Sequence, residues 1–240
     1  MCFGANYFGQ LGIGNNDDQY KPVLLMIDEK IDKIYCGGNH SFILKKNGEV
    51  WCFGANTYGQ LGIGNNKNQN KPVLLMVDEG ICQIRCGYNH TLILKKNGEL
   101  LVFGYNGFGQ LGTGNNENKY TPFLLMIDQQ IKEIYCGGFH SFILKKNGKL
   151  FGFGINAYGQ LGNGENKNLN SPTLLMEDEN ILILMSGEIK TEWNSDNHVH
   201  FPLSFKQRIL TFLLFLRRNH QQTNLKIPKF LLFEIIKLTL

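Results

Sequence analysis

His40, His90 and His140 stand at one spacing, and His198 and His200 form a further pair near the C-terminal end. Histidine suits metal binding and general-base work near neutral pH. The interval of 50 residues argues against both. Equivalent positions of a repeat are carried apart, one per unit, and are not gathered around one ion. The expectation is a buried, hydrogen-bonded structural histidine in each unit. His198 and His200 supply two ligands without a third close by. Asp28, Asp78, Asp128 and Asp178 recur in the same manner and make no unique pair of carboxylates for acid–base catalysis.

The run Gly9-Gln10-Leu11-Gly12-Ile13-Gly14 has the composition of a phosphate loop, but its order is G-x-x-G-x-G and no helical pattern follows it. It returns from Gly59, Gly109 and Gly159, so its glycines read as turn residues. Among the cysteines, Cys36, Cys86 and Cys136 share one repeat position, and Cys2 and Cys52 share another. Single recurring cysteines read as small buried apolar residues, not as a disulfide framework or a C-x-x-C metal site. No nucleophile–base constellation stands out. The sequence reads as that of a non-enzymatic protein with no cofactor, no catalytic residue and no metal site.

What positions these residues is a repeat. Phe3-Gly4-Ala5-Asn6 returns at Phe53, Phe103 and Phe153, and Pro22, Leu24, Leu25, Met26 and Asp28 also recur in all four copies. The units are 1–50, 51–100 and 101–150, with a partial fourth over 151–187. A fixed period of this length marks a propeller, solenoid or array. Within a unit the signals are those of strands. Ser41–Lys46, Asn47-Gly48 and Glu49–Phe53 read as strand, two-residue type I′ turn and strand. Pro22–Met26 and Ile31–Cys36 supply two more strands, which makes about four per unit, the content of one propeller blade. Residues 13–21 are polar and differ most between copies, and binding residues concentrate on such loops. The candidate partner-binding residues are therefore Asp17, Asp18, Tyr20, Lys67, Asn70, Glu117, Tyr120 and Lys167.

The pattern W-x-F-G-x-N-x-x-G-Q-L-G-x-G, followed by C-G-x-x-H-[ST]-x-x-L and an Asn-Gly hairpin, resembles the regulator of chromosome condensation repeat. The match covers residues 1–180. The resemblance implies four-stranded propeller blades, about seven in complete members. This chain departs from it in having three full units and one partial one, in opening inside a unit, and in carrying Ile181–Gly187 where the fourth Cys-Gly-x-x-His block is expected. The fold expected is an all-β, incomplete and open β-propeller of about four blades, followed by a small α-helical segment. An open arc exposes sheet edges that need a cover: the tail, a second copy completing the ring as a homodimer, or further propeller sequence that this chain lacks if it comes from a truncated gene.

Past Gly187 the composition changes. Residues 188–203 read as a linker and 204–240 as a helical hairpin, with Ser204 and Gln207 as a capping box and Pro228 in the first turn of the second helix. The hairpin is expected to pack on the open end of the arc. Ile227-Pro228-x-x-Leu231-Leu232-x-x-Ile235-Ile236 resembles the opening of an F-box, which implies a ubiquitin-ligase component as a partner.

Residues 1–187 are electrically neutral, and the whole excess of +4 lies in residues 188–240. A neutral repeat region lacks the clustered Lys/Arg that direct nucleic-acid binding requires. The longest apolar runs, such as Ile209–Leu216, fall far short of the ~20 residues that span a bilayer. With Met1 running directly into the repeat, the expectation is a soluble protein of the cytoplasm or nucleus. Its expected role is that of a protein–protein interaction scaffold. Guanine nucleotide exchange on a small GTPase, implied by the resemblance, would need an intact ring and an inserted wedge for which the strict spacing leaves no room.

Overall fold

The structure, a computed structural model, describes residues 1–25 and 30–177. The linker, the helical hairpin, the segment Ile181–Gly187, Asp28 and Asp178 lie outside the described residues. Strand β1 (Cys2–Gly4) pairs antiparallel with β2 (Gln19–Val23). Three four-stranded antiparallel sheets follow. The first blade is β3 (Ile31–Cys36), β4 (His40–Lys45), β5 (Glu49–Gly54) and β6 (Gln69–Val77). The second is β7 (Ile81–Cys86), β8 (His90–Lys95), β9 (Glu99–Gly104) and β10 (Lys119–Ile127). The third is β11 (Ile131–Cys136), β12 (His140–Lys145), β13 (Lys149–Gly154) and β14 (Leu169–Glu177). Among the described residues there is no helix. These are propeller blades, each offset from the sequence units by about half a period.

The strand order within a blade follows the chain, and each position has a physical reason. The first strands β3, β7 and β11 lie against one another from blade to blade and form the inner wall. The second strands carry unbroken apolar runs such as Phe42-Ile43-Leu44 because a neighbouring layer covers both of their faces. The fourth strands are edges. Pro72, Pro122 and Pro172 sit there, where a missing ladder N–H costs nothing.

The core lies between blades. Phe42, Val50, Cys52 and Leu61 of the first blade close on Ile84, Ile93 and Phe103 of the second. Leu92, Val102 and Leu111 of the second close in turn on Ile134, Ile143 and Phe153 of the third. A blade with no four-stranded neighbour cannot complete this packing. Ile34, on the first blade beside the two-stranded sheet, is 53% exposed, whereas its equivalents Ile84 and Ile134 are fully buried.

The Asn-Gly turns differ from expectation. No residue other than glycine has a positive φ among the described residues, so Asn47 is not in the left-handed region that a type I′ turn demands. Lys46, Asn47 and Gly48 form a three-residue loop instead, closed by Gly48 N–H to Lys45 O at 3.0 Å with Gly48 at φ +81°. Asn47 uses its side chain rather than its backbone conformation, Oδ1 accepting from Glu49 N at 3.3 Å. A Cβ on Gly48 would also lie 2.6 Å from Glu79 N, which excludes any larger residue on steric grounds.

Candidate partner-binding face

The long connection between the third and fourth strand of each blade is held from inside by one asparagine. In the first blade Asn56 is fully buried. Its Oδ1 accepts from Leu61 N at 3.0 Å and its Nδ2 donates to Asn65 O at 2.9 Å. Its own N–H donates to Asn68 Oδ1 at 2.8 Å. Asn6, Asn106 and Asn156 do the same in their loops. One buried amide thus satisfies backbone groups that a long loop would otherwise leave bare.

The loop then reaches the next blade. Gly14 N–H donates to Asn70 O at 2.7 Å, Gly64 N–H to Tyr120 O at 2.9 Å, and Gly114 N–H to Asn170 O at 2.7 Å. A Cβ on Gly59 would lie 2.7 Å from Tyr120 Cα, so backbone meets backbone at this seam.

The histidines make a second seam. His40 Nε2 lies 3.1 Å from Thr91 Oγ1, and His90 Nε2 lies 3.0 Å from Ser141 Oγ. Thr91 Oγ1 donates onward to Gln60 O at 2.9 Å and Ser141 Oγ to Gln110 O at 2.8 Å. With its proton committed, each hydroxyl accepts from the imidazole, which assigns the proton to Nε2 in His40 and His90. Burial lowers the pKa of His40 and His140 to about 4, and that of His90 to about 3 with smaller contributions from the other two. All three rings are neutral at physiological pH, and those of His40 and His90 are structural donors from one blade to the next.

Most of the remaining recurrent groups are also occupied, but Cys36 is exposed, against the expectation of a small buried apolar residue at that position, because the first blade has no four-stranded neighbour on that side. Asp78 accepts from Gly80 N at 2.7 Å and pairs with Lys95 at 2.8 Å; Asp128 accepts from Gln130 N at 2.8 Å and pairs with Lys145 at 2.8 Å. The lysine ammonium beside each holds its carboxyl below the usual range. Burial pushes the thiols of Cys52 and Cys136 up to about 12 and that of Cys86 well above its ordinary value, which suppresses the thiolate that chemistry would need. Among the described residues no three His, Cys, Asp or Glu side chains gather as a metal site.

The eight residues singled out in the sequence lie on these loops and at their seams. Asp17, Lys67 and Lys167 are exposed, and Tyr20 is 93% exposed. Asp18 is exposed but occupied, its Oδ1 accepting from Asn6 N at 2.7 Å. Asn70 joins two loops, its Nδ2 donating to Asn16 Oδ1 at 3.0 Å. Glu117 pairs with Lys119 at 3.4 Å, and Tyr120 lends its carbonyl to Gly64. Being equivalent residues of successive blades, they are strung along a rim and do not converge on one point.

Other residues do converge, and sequence reasoning passes over them. Tyr58 and Tyr105 have ring centroids 4.9 Å apart, Phe108 and Phe139 5.5 Å, and Tyr88 and Phe139 5.3 Å. Their signal is present as departures from the chain's own repeat. Tyr88 stands where Gly38 and Gly138 do, Tyr105 where Ala5 and Ala55 do, and Phe139 where Asn39 and Asn89 do.

The family model of the RCC1-like domain matches residues 1–191. An RCC1 repeat-containing protein of Schizosaccharomyces pombe is 39% identical over 51 residues, which cover 21% of this chain and 14% of that protein. Human WBSCR16 superposes with a TM-score of 0.62 at 28% identity, covering 72% of this chain and 48% of that one. Yeast RCC1 (Prp20), in its crystal with Kap60, superposes with a TM-score of 0.57 at 24% identity, covering 62% of this chain and 37% of that one. The chain therefore spans less than half the length of each of these relatives.

Proposed function

This chain belongs to the RCC1-like domain family, and from that premise we propose that it acts as a non-enzymatic scaffold for protein–protein interaction. One observation carries the reading. Apart from the exposed Cys36, the recurrent groups that could do chemistry are engaged within and between blades, whereas the loop residues that vary from copy to copy are the ones turned outward. A propeller's function lives on such loops rather than in its fold. Tyr20, Lys67 and Lys167 are exposed and, among the described residues, their side chains make no hydrogen bond across the loops of the kind that Asp18 and Asn70 make, so they are the candidate contacts probed first.

The test is site-specific photo-crosslinking in cells from positions 20, 67 and 167, with position 47 on the opposite face as control. Protein adducts of defined mass are expected from the loop positions alone. Adducts only from position 47, or from none of the four, would overturn the assignment of this face. Nucleotide exchange is the second reading, because Prp20p of Saccharomyces cerevisiae, which shares the fold, binds Gsp1p and histones. Release of a labelled guanine nucleotide from a purified small GTPase separates the two, since a scaffold leaves the rate unchanged. The ubiquitin-ligase reading rests on residues 204–240, and loss of cullin-complex co-purification on deleting 188–240 is its test.

A further inference from the structure

The aromatic cluster has a history written in the repeat. Its five rings come from four separate loops: Tyr58 of the first blade, Tyr88, Tyr105 and Phe108 of the second, and Phe139 of the third. Tyr105 is the hub, 4.9 Å from Tyr58, 5.8 Å from Phe108 and 6.2 Å from Phe139. Position 58 is aromatic in every copy, but 88, 105 and 139 are aromatic only here.

Their surroundings are adapted to them. Position 107 is glycine where the other copies hold Tyr7, Thr57 and Ala157, and a Cβ there would collide with the Tyr105 hydroxyl. The Tyr88 ring lies over Gly138, where a Cβ would come within 3.0 Å of its edge. Four departures at distant sequence positions thus serve one surface. Tyr88 is 57% exposed and Tyr58 39%, and the other three rings are half-buried beside them. Packing alone does not require this, because the other copies pack without such rings.

Two further facts define what the surface takes. No Asp, Glu, Lys or Arg occurs in residues 55–66, 87–92, 103–116 or 137–143, the segments that build it. The polar group left over at its base is a donor. Gln10 Nε2 donates to Asn39 Oδ1 at 3.3 Å and Gln60 Nε2 to Asn89 Oδ1 at 3.1 Å. Gln110, whose Oε1 accepts from Phe108 N at 3.0 Å, finds Phe139 where the asparagine acceptor should be. Its Nε2 is buried without a hydrogen-bond partner.

We propose that the surface formed by Tyr58, Tyr88, Tyr105, Phe108 and Phe139 docks a proline-rich segment of a partner protein in the polyproline II conformation. Such a segment offers pyrrolidine rings to aromatic ridges and carbonyls without competing N–H groups, and it enters an already extended conformation at little entropic cost. Tyrosine hydroxyls, and the Gln110 amide when the Phe139 ring turns aside, are the donors for those carbonyls. A cationic guest would meet an amide donor and no carboxylate. Single-stranded nucleic acid, the other common occupant of stacked rings, needs a basic track that these segments lack.

The proposal rests on the scaffold reading and names one partner class for it. The test is fluorescence anisotropy of labelled decaproline titrated with the full 240-residue chain, beside a Gly-Ser decamer, an Arg-Gly decamer and oligouridylate. Saturable decaproline binding is expected in the micromolar range, with the other three at least tenfold weaker. Y88G, Y105A and F139N each install the residue that sister copies carry, so the fold is kept, and each is expected to weaken decaproline at least fivefold. Unfolding midpoints of the three, measured in parallel, separate lost binding from lost folding. No binding of decaproline, equal binding by all three variants, or preference for the Arg-Gly peptide or the oligonucleotide would overturn the proposal. The crosslinks from positions 20, 67 and 167 would be unaffected by that failure, so the scaffold reading is judged separately.

Discussion

Replacing Ser141 by alanine tests the reasoning on which the arc depends. Ser141 is fully buried and carries one hydroxyl between two blades. Oγ donates to Gln110 O at 2.8 Å and accepts from His90 Nε2 at 3.0 Å. Removing it strands a buried imidazole N–H and one lone pair of a carbonyl, while the cavity left is smaller than a methyl group. An unsatisfied buried polar group costs about 1–3 kcal/mol, and the carbonyl is the less demanding of the two, so S141A is expected to lose about 2–4 kcal/mol. Threonine fills the same position in the second blade as Thr91. S141T keeps the hydroxyl and adds one methyl, which the second blade accommodates at this position, so it is expected to be clearly more stable than S141A. Urea unfolding followed by tryptophan fluorescence and circular dichroism gives both values, with an unchanged slope showing that the same surface unfolds. If S141A and S141T were equally stable, or equally destabilised, the histidine seam would be packing rather than hydrogen bonding.

Acid should act through the same seam. His40, His90 and His140 bind their protons below their ordinary range, near pH 4, 3 and 4. The unfolded chain therefore takes up protons first, and stability present above pH 6.5 is lost as pH falls towards those values, by at most ~1.4 kcal/mol per pH unit for each histidine. Unfolding midpoints at pH 7 and pH 5 check this, and equal midpoints would refute it. The three equivalent isoleucines give a contrast: I84A and I134A are expected to cost ~2–5 kcal/mol and I34A less than ~1 kcal/mol, since Ile34 alone is exposed. A full penalty for I34A, together with twice the expected mass in solution, would show a second copy covering that face. With Ellman's reagent on native protein, Cys36, the exposed thiol, should react first and C36S should abolish that phase, while Cys52, Cys86 and Cys136 wait for unfolding.

Legibility in the sequence follows from how local each signal is. Ile31–Cys36 is readable as a strand and is one, since its two isoleucines and a tyrosine in a short run are a local strand signal. The fourth strand reads too short, because Gln69 and Asn70 resemble the polar loop they leave, yet Gln69 already pairs with Gly54. The Asn-Gly turn is legible as a turn but not as a type, because the choice depends on strand register. His40 and His90 are legible as buried and bonded, but their partners lie about one period away, at Thr91 and Ser141, which no local pattern announces. The aromatic surface is least legible. Residues 88, 105 and 139 share no local motif with one another or with the repeated aromatic position of Tyr58 and Phe108, and only the stacking of blades brings them together.

The seam formed by Gly64 N–H and Tyr120 O repeats as Gly14 with Asn70 and Gly114 with Asn170, using main-chain atoms each time. Main-chain joints do not record which copy lies on either side. A deletion or duplication of 50 residues in frame therefore leaves each main-chain junction chemically intact, whereas one of 49 or 51 leaves a one-residue slip at the joint, which within a strand turns its buried face outward. The arc is free to gain or lose blades as whole cassettes, and what distinguishes one copy from the next, the tyrosines and phenylalanine around Tyr105, is the part that a copy exchange would erase.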